Sequence, residues 1–209
     1  MSTRSESNSN VTRNVEDIIE IPIIQQRSQS IYTNPLKPQY FYTRYQDVDQ
    51  LFIVASTATF TQIPGLSLAV HHAVPMIYKI QAQTSPQLQK PWAHCMIHIL
   101  INEKVLISNK LQPNNDKRLI GIKVWNTNIN FLDIEGGSLF CSGDASAPVV
   151  PFFKSELIIM PPGTYVIEVG ARTDAPPLWI HGGELRVEMT EYDPNLHVGL
   201  TYPTVRHID

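Results

Sequence analysis

Seven histidines, two cysteines and three tryptophans carry the most specific chemistry in this 209-residue chain, and their spacing decides what they can do together. His94 and His98 lie four apart. On a strand that spacing puts them on one face but about 13 Å apart, too far to chelate one ion unaided. His71 and His72 are adjacent, so they point to opposite faces of any strand that holds them. His181-Gly182-Gly183-Glu184 has the look of an oxyanion loop, but no G-x-S-x-G elbow accompanies it. Asp133 with Glu135, or Asp174 with Glu184, offers two carboxylates, yet acidic residues at loop ends commonly act as solvated caps. No phosphate-binding glycine loop and no Cys/His zinc spacing occurs. The expectation is a protein without catalytic residues, metal or cofactor. Cys95 and Cys141 make no disulfide framework and read as two free buried thiols, with a single bridge as the alternative. Trp125 and Trp179 fall near turn residues, where an indole stacks on a sugar or packs against another subunit.

These side chains sit on short segments of period two. Pro161-Pro162-Gly163 reads as a turn, with proline presetting φ and glycine supplying positive φ. After it Tyr165, Ile167, Val169 and Ala171 alternate with Val166, Glu168, Gly170 and Arg172. Leu185, Val187 and Met189 then alternate with Glu184, Arg186, Glu188 and Thr190. Each run predicts a strand with one face inward and one wet. The same grammar holds for Phe52–Phe60, for Leu66–Val70 after a Pro64-Gly65 turn, and for Met76–Gln83. It recurs at Val105–Ser108, Ile120–Trp125 and Phe153–Met160, with a shorter strand at Asn130–Ile134 and loops at SPQLQKP and LQPNND. Ala93–Asn102 differs: Cys95, Ile97, Ile99 and Ile101 form one apolar face, while His94, Met96, His98 and Leu100 leave the other hardly more polar. Such a strand is central, or covered by another subunit. Asn102-Glu103-Lys104 closes it as a hairpin turn. About eight strands and no helix of any length predict an all-β chain, an antiparallel jelly-roll β-sandwich.

Residues 1–47 read as an extended N-terminal arm, residues 48–191 as the jelly roll and residues 192–209 as a C-terminal tail. Within the arm, 1–14 has the composition of a disordered tail. Pro22, Pro35 and Pro38 deny the remainder a regular helix. Ile23, Ile24, Tyr32, Tyr40, Phe41, Tyr42 and Tyr45 are its expected docking contacts, because tyrosine offers contact area at low entropic cost. Arg27, Lys37 and Arg44 interleave with those aromatics, but Glu16, Asp17, Glu20, Asp47 and Asp49 offset them and the net charge is −3, so nucleic acid is not an expected partner. Nor is a membrane: no run approaches the roughly 20 apolar residues of a span. MSTRSESNSNVTRN lacks the apolar core of a signal peptide, which implies assembly in the cytosol.

With the strands placed, TATFTQIPGLSLAV (57–70), AHCMIHILINEKVL (93–106), PPGTYVIEVGARTD (161–174) and GGELRVEM (182–189) together resemble jelly-roll domains of the C1q/TNF-like type found in bacterial and phage structural proteins. The resemblance covers roughly residues 50–191. The chain departs from it at Lys104, where the family's turn has glycine, and in a long insertion at 126–150. It implies a homotrimer built on apolar faces, with His94, Met96, His98, Leu100 and Trp125 as interface candidates. The implied function is a structural virion protein, a capsid decoration or cement protein fastened to a phage shell through its arm, with a major capsid or other virion protein as partner. An alternative is the receptor-binding head of a tail or fibre, reading a host glycan or protein through loops 84–92, 109–117 and 136–150. A third is a cupin-like metal enzyme, for which the clustered His-x-His motif is missing.

Overall fold

The computed structural model describes residues 38–47, 49–55, 58–115, 129, 134–135, 138–143, 148–193, 195 and 199–205. Among them the alternating runs become twelve strands in two sheets. One sheet holds β1 (Gln39–Tyr45), β2 (Phe52–Val54), β4 (Met76–Leu88), β9 (Phe152–Met160) and β11 (Leu178–Glu191). The other holds β3 (Thr61–His72), β5 (His94–Ile101), β6 (Lys104–Ile107), β7 (Lys110–Pro113), β8 (Leu139–Cys141), β10 (Gly163–Thr173) and β12 (Thr204–Val205). The first runs β1-β11-β4-β9 with β2 also on β11; the second runs β12-β7-β6-β5-β10-β3 with β8 also on β5. All pairs are antiparallel except β7 with β12. From β9 to β11 the chain changes sheet at each turn, so the Pro161-Pro162 and Pro176-Pro177 corners join layers rather than neighbours. This is a jelly-roll β-sandwich.

The main core lies between the sheets, where Tyr78, Ile80, Leu185 and Val187 of one layer meet Ile97, Ile99, Ile167 and Val169 of the other. The seven-stranded sheet carries a second apolar cluster on its other face. There Phe60, Met96, Leu100, Val105, Ile107 and Ile129 are buried, with Ile134 and Leu139 packed against them. All eight residues of β5 are therefore buried within the chain. Of the two readings that its sequence allowed, central strand is the one the structure adopts. The same cluster overturns the expectation of a wet Arg172: the residue is fully buried, its guanidinium 5.7 Å from the Phe60 ring centroid.

Several punctuation residues do something other than turn the chain. Pro64-Gly65 lies inside the continuous strand β3, at a bulge where the register against β10 shifts between Glu168 and Gly170. Gly65 has φ +81°, and a methyl group there would stand 2.6 Å from the Tyr45 carbonyl oxygen. Gly163 opens β10 without positive φ; what a side chain would meet there is the Tyr165 hydroxyl. Ser85–Leu88, expected as loop, continues β4, and Leu111–Pro113 forms part of β7. Pro86 lies in β4 just past the last β9 partner, Thr84 with Phe152, and its carbonyl accepts from the Val150 N–H. The turn at Asn102-Glu103 is as expected, with φ of 49° and 64° at its two residues.

Two domain boundaries move. Residues 39–45, expected in the arm, form β1 and pair along their whole length with Glu184–Thr190 of β11. The C-terminal tail is not wholly separate, since Thr204 and Val205 pair with β7 and Asn109 Nδ2 donates to Thr201. The strand expected at Ile120–Trp125 lies outside the described residues, as does nearly all of that expected at Asn130–Ile134. Because Gly65 combines a left-handed backbone with contact against β1, Gly65→Ala should cost about 2 kcal/mol. Urea unfolding followed by circular dichroism checks this, and an unchanged midpoint would contradict it.

Candidate functional site

His94 opens β5 and Asp174 follows β10, and the pairing of those strands brings them together. Asp174 Oδ1 accepts from the His94 backbone N–H at 2.7 Å, and Oδ2 lies 2.8 Å from the imidazole Nδ1. Both side chains are about 10% exposed, so this is a clasp in low dielectric between strand ends. On the other side of β5, Cys141 of β8 pairs with His94. A carboxylate, an imidazole and a thiol thus occupy neighbouring positions across three strands. Eighty residues separate His94 from Asp174, and only strand pairing joins them.

The other candidates part company. His98 packs edge-on against Phe60, ring centroids 5.1 Å apart, and shares no site with His94. His71 is exposed and bonds to Thr164 Oγ1; His72 is buried, donates from Nδ1 to Val74 O, and stacks on Tyr165. His181 to Glu184 is strand, not loop, interrupted by a register shift between Ile180 and Gly183. Glu184 pairs with Arg186 on the five-stranded sheet, far in topology from Asp174 on the other. Asp133 lies outside the described residues. Among the described residues no three His, Cys, Asp or Glu side chains gather as a metal site. Cys95 and Cys141 are both free; Cys95 is buried as expected, whereas Cys141 is exposed. Burial pushes the Cys95 thiol's pKa far up.

His94, Met96, His98 and Leu100, expected at a subunit interface, are buried within the chain instead. Their face is covered by the second apolar cluster, which includes Ile129 of the long insertion. Trp125 lies outside the described residues, as do Ile23, Ile24 and Tyr32. Tyr40, Phe41, Tyr42 and Tyr45 are on β1, where all four are exposed. Trp179 is a half-buried strand residue; of the two described tryptophans Trp92 is the more open to solvent, 65% exposed, at a left-handed position (φ 55°) held by its N–H to Gly143 O. The Lys90-Pro91 pair before it was the only cue to that turn.

Exposed apolar groups concentrate on the outer face of the five-stranded sheet. Register places Phe41, Glu188, Lys79 and Leu157 in one row, and Tyr45, Glu184, Gln83 and Phe153 in another. Thr43, Arg186, Gln81 and Ser155 form the row between. Phe41 and Tyr45 are 67% and 64% exposed at one margin; Phe153 and Leu157 are 59% and 50% at the other. Between them Lys79 pairs with Glu188 at 3.2 Å and Arg186 with Glu184, exposed pairs that contribute little stability but make a charged ridge. A shallow hollow of about 150 Å³ opens among Gln81, Gln83, Phe153, Glu184 and Arg186. Two apolar margins about a polar ridge form a surface suited to contact with another macromolecule.

A more polar hollow of about 450 Å³ lies on the seven-stranded sheet among Phe60, Gln62, Asn102, Glu103, Asn114 and Glu168. Burial, and then the Glu103 charge, raise the Glu168 carboxyl above its ordinary pKa.

No protein-family model and no curated protein matches the sequence. Solved structures that align with it over most of its length include the following two. One is Eiger TNF from S. frugiperda, with 11% identity over 78% of this chain and all of that one, at a TM-score of 0.39. The other is a chain of infectious bursal disease virus Gx strain, with 10% identity over 81% of this chain and 35% of that one, at a TM-score of 0.36. The chain thus spans about a third of the latter's length. At these values neither likeness carries functional weight.

Two predictions follow from the site. A thiol reagent should label one cysteine in the native protein and two in denaturant, and two native thiols would contradict the burial of Cys95. A raised folded-state pKa means that the fold binds a proton more tightly at Glu168 than the unfolded chain does. That stabilisation is complete below the unfolded value and is lost as pH rises through the folded one. Glu168→Gln should therefore gain thermal stability relative to wild type as pH rises from about 4 to 7. A difference independent of pH would refute this.

Proposed function

We propose that this chain is a non-catalytic structural protein of a virion, a decoration or cement protein that docks on a larger protein shell. The observation that carries the reading is the outer face of the five-stranded sheet, where Phe41, Tyr45, Phe153 and Leu157 border a charged ridge. A soluble body keeps such side chains exposed in numbers where a partner covers them. The resemblance of 57–70, 93–106, 161–174 and 182–189 to phage C1q/TNF-like domains supports placing that partner in a particle. Residues preceding β1 would add the fastening segment, and the body would self-associate, as a homotrimer in the simplest form.

A receptor-binding head is the second reading, favoured by Trp92, whose exposed indole is held on a turn beside Gly143. The two readings use different surfaces, so they separate by mutation. An antibody to the chain should find it in purified particles. Phe153→Asp with Leu157→Asp should leave melting unchanged and weaken co-sedimentation with particles by roughly tenfold or more. Trp92→Ala should leave co-sedimentation alone. Absence of the protein from purified particles would sink both readings, and loss of host-cell binding in Trp92→Ala would select the second.

A further inference from the structure

Sheet edges offer unpaired backbone groups, and proteins blunt them with short strands, prolines, bulges or inward charges. Most edges here are blunted. β2, β8 and β12 are only three, three and two residues long. β3 carries Pro64 and a bulge. β9 directs Lys154 inward, opposite core residue Ala82, with its ammonium 2.9 Å from Glu156. β1 is different over Gln39–Thr43, a stretch with no proline, glycine, bulge or charge. Every residue of β1 is exposed, and among the described residues no strand pairs with its far side.

The phase of the ladder identifies the open groups. Gln46 N–H donates to Gly183 O at 2.9 Å, so alternation turns the N–H and C=O of Arg44, Tyr42 and Tyr40 toward β11. Those of Gln39, Phe41 and Thr43 face outward. We propose that β1 pairs antiparallel with β1 of a second copy, fusing two five-stranded sheets into one across a two-fold axis. With the axis through Tyr42, Phe41 and the partner's Thr43 exchange their backbone hydrogen bonds, and the reciprocal pair does the same. In this register the strand brings no like charges together. Its single charge, Arg44, falls against the partner's Tyr40 in a cation–π geometry, while the two Arg44 side chains stay apart. The outward aromatics Phe41 and Tyr45 of both copies then lie on one continuous outer face. This association does not depend on the virion reading.

The four exposed aromatics of β1 offer on the order of 400 Å² per copy, about half of what a standard interface buries on each side. The pairing is therefore concentration-dependent, and light scattering of the full chain across micromolar concentrations is the measurement. Thr43→Pro removes an outward N–H without touching the β1–β11 ladder, so the variant should melt like wild type and show half its limiting mass. Phe41→Lys places a charge on the same edge and should also halve the mass, which covers the case in which the proline variant does not fold. A wild type that stays monomeric overturns the proposal. So does a mass that neither folded variant alters; an unchanged mass of three chains would do so while leaving a trimer through another surface in place.

Discussion

One strand constrains the rest of this molecule. β5 has no polar face, so each of its sides must be kept from water. One side is the sandwich core, shared with Ile80, Val187 and Ile158 of the opposite sheet. The other needs a cover that a two-layer fold does not supply by itself, and the chain provides it from Phe60, from β6 and from Ile129, Ile134 and Leu139. Burial of Arg172 and His98 follows from that cover. Both lie on the outer side of the seven-stranded sheet, and Phe60 engages each of them.

This asymmetry leaves the two outer faces chemically different. Over β5 the seven-stranded sheet is apolar on both sides, with the second cluster covering its outer face. The five-stranded sheet has one apolar side, and its outer side keeps a polar ridge on β4 and β11 between apolar margins on β1 and β9. Residues such as Phe153 and Leu157 can vary without disturbing Ile158 or Met160 beneath, because successive strand residues face opposite ways.

Glycine and proline show why local signals mislead here. Each was legible as an interruption, but the kind of interruption depended on what lay across the sheet. Pro64-Gly65 has the chemistry of a turn, yet β10 continues alongside it, and the surplus residues are taken up in a bulge. Pro86 has the chemistry of a loop, yet it lies in β4 just past the last β9 partner, where its carbonyl still accepts from the Val150 N–H. Asn102-Glu103 was read correctly because a tight hairpin is set by its own φ angles and by the two strands that it joins.

The alternation of Leu185, Val187 and Met189 with Glu184, Arg186 and Glu188 determined by itself that β11 would have a dry and a wet face. The apolar character of 93–101 likewise determined that β5 would be central or covered. Period-two patterning needs no knowledge of the partner strand, so the all-β class was legible from local order alone. Tertiary structure decided what shares a row. It moved Tyr40–Tyr45 from an arm into a sheet edge, buried the histidine-bearing face of β5 within the chain, and set Asp174 against His94 eighty residues away. Long-range register is the reason: which residues meet depends on how distant strands pair, and a slip of a single residue would exchange every inward side chain for an outward one.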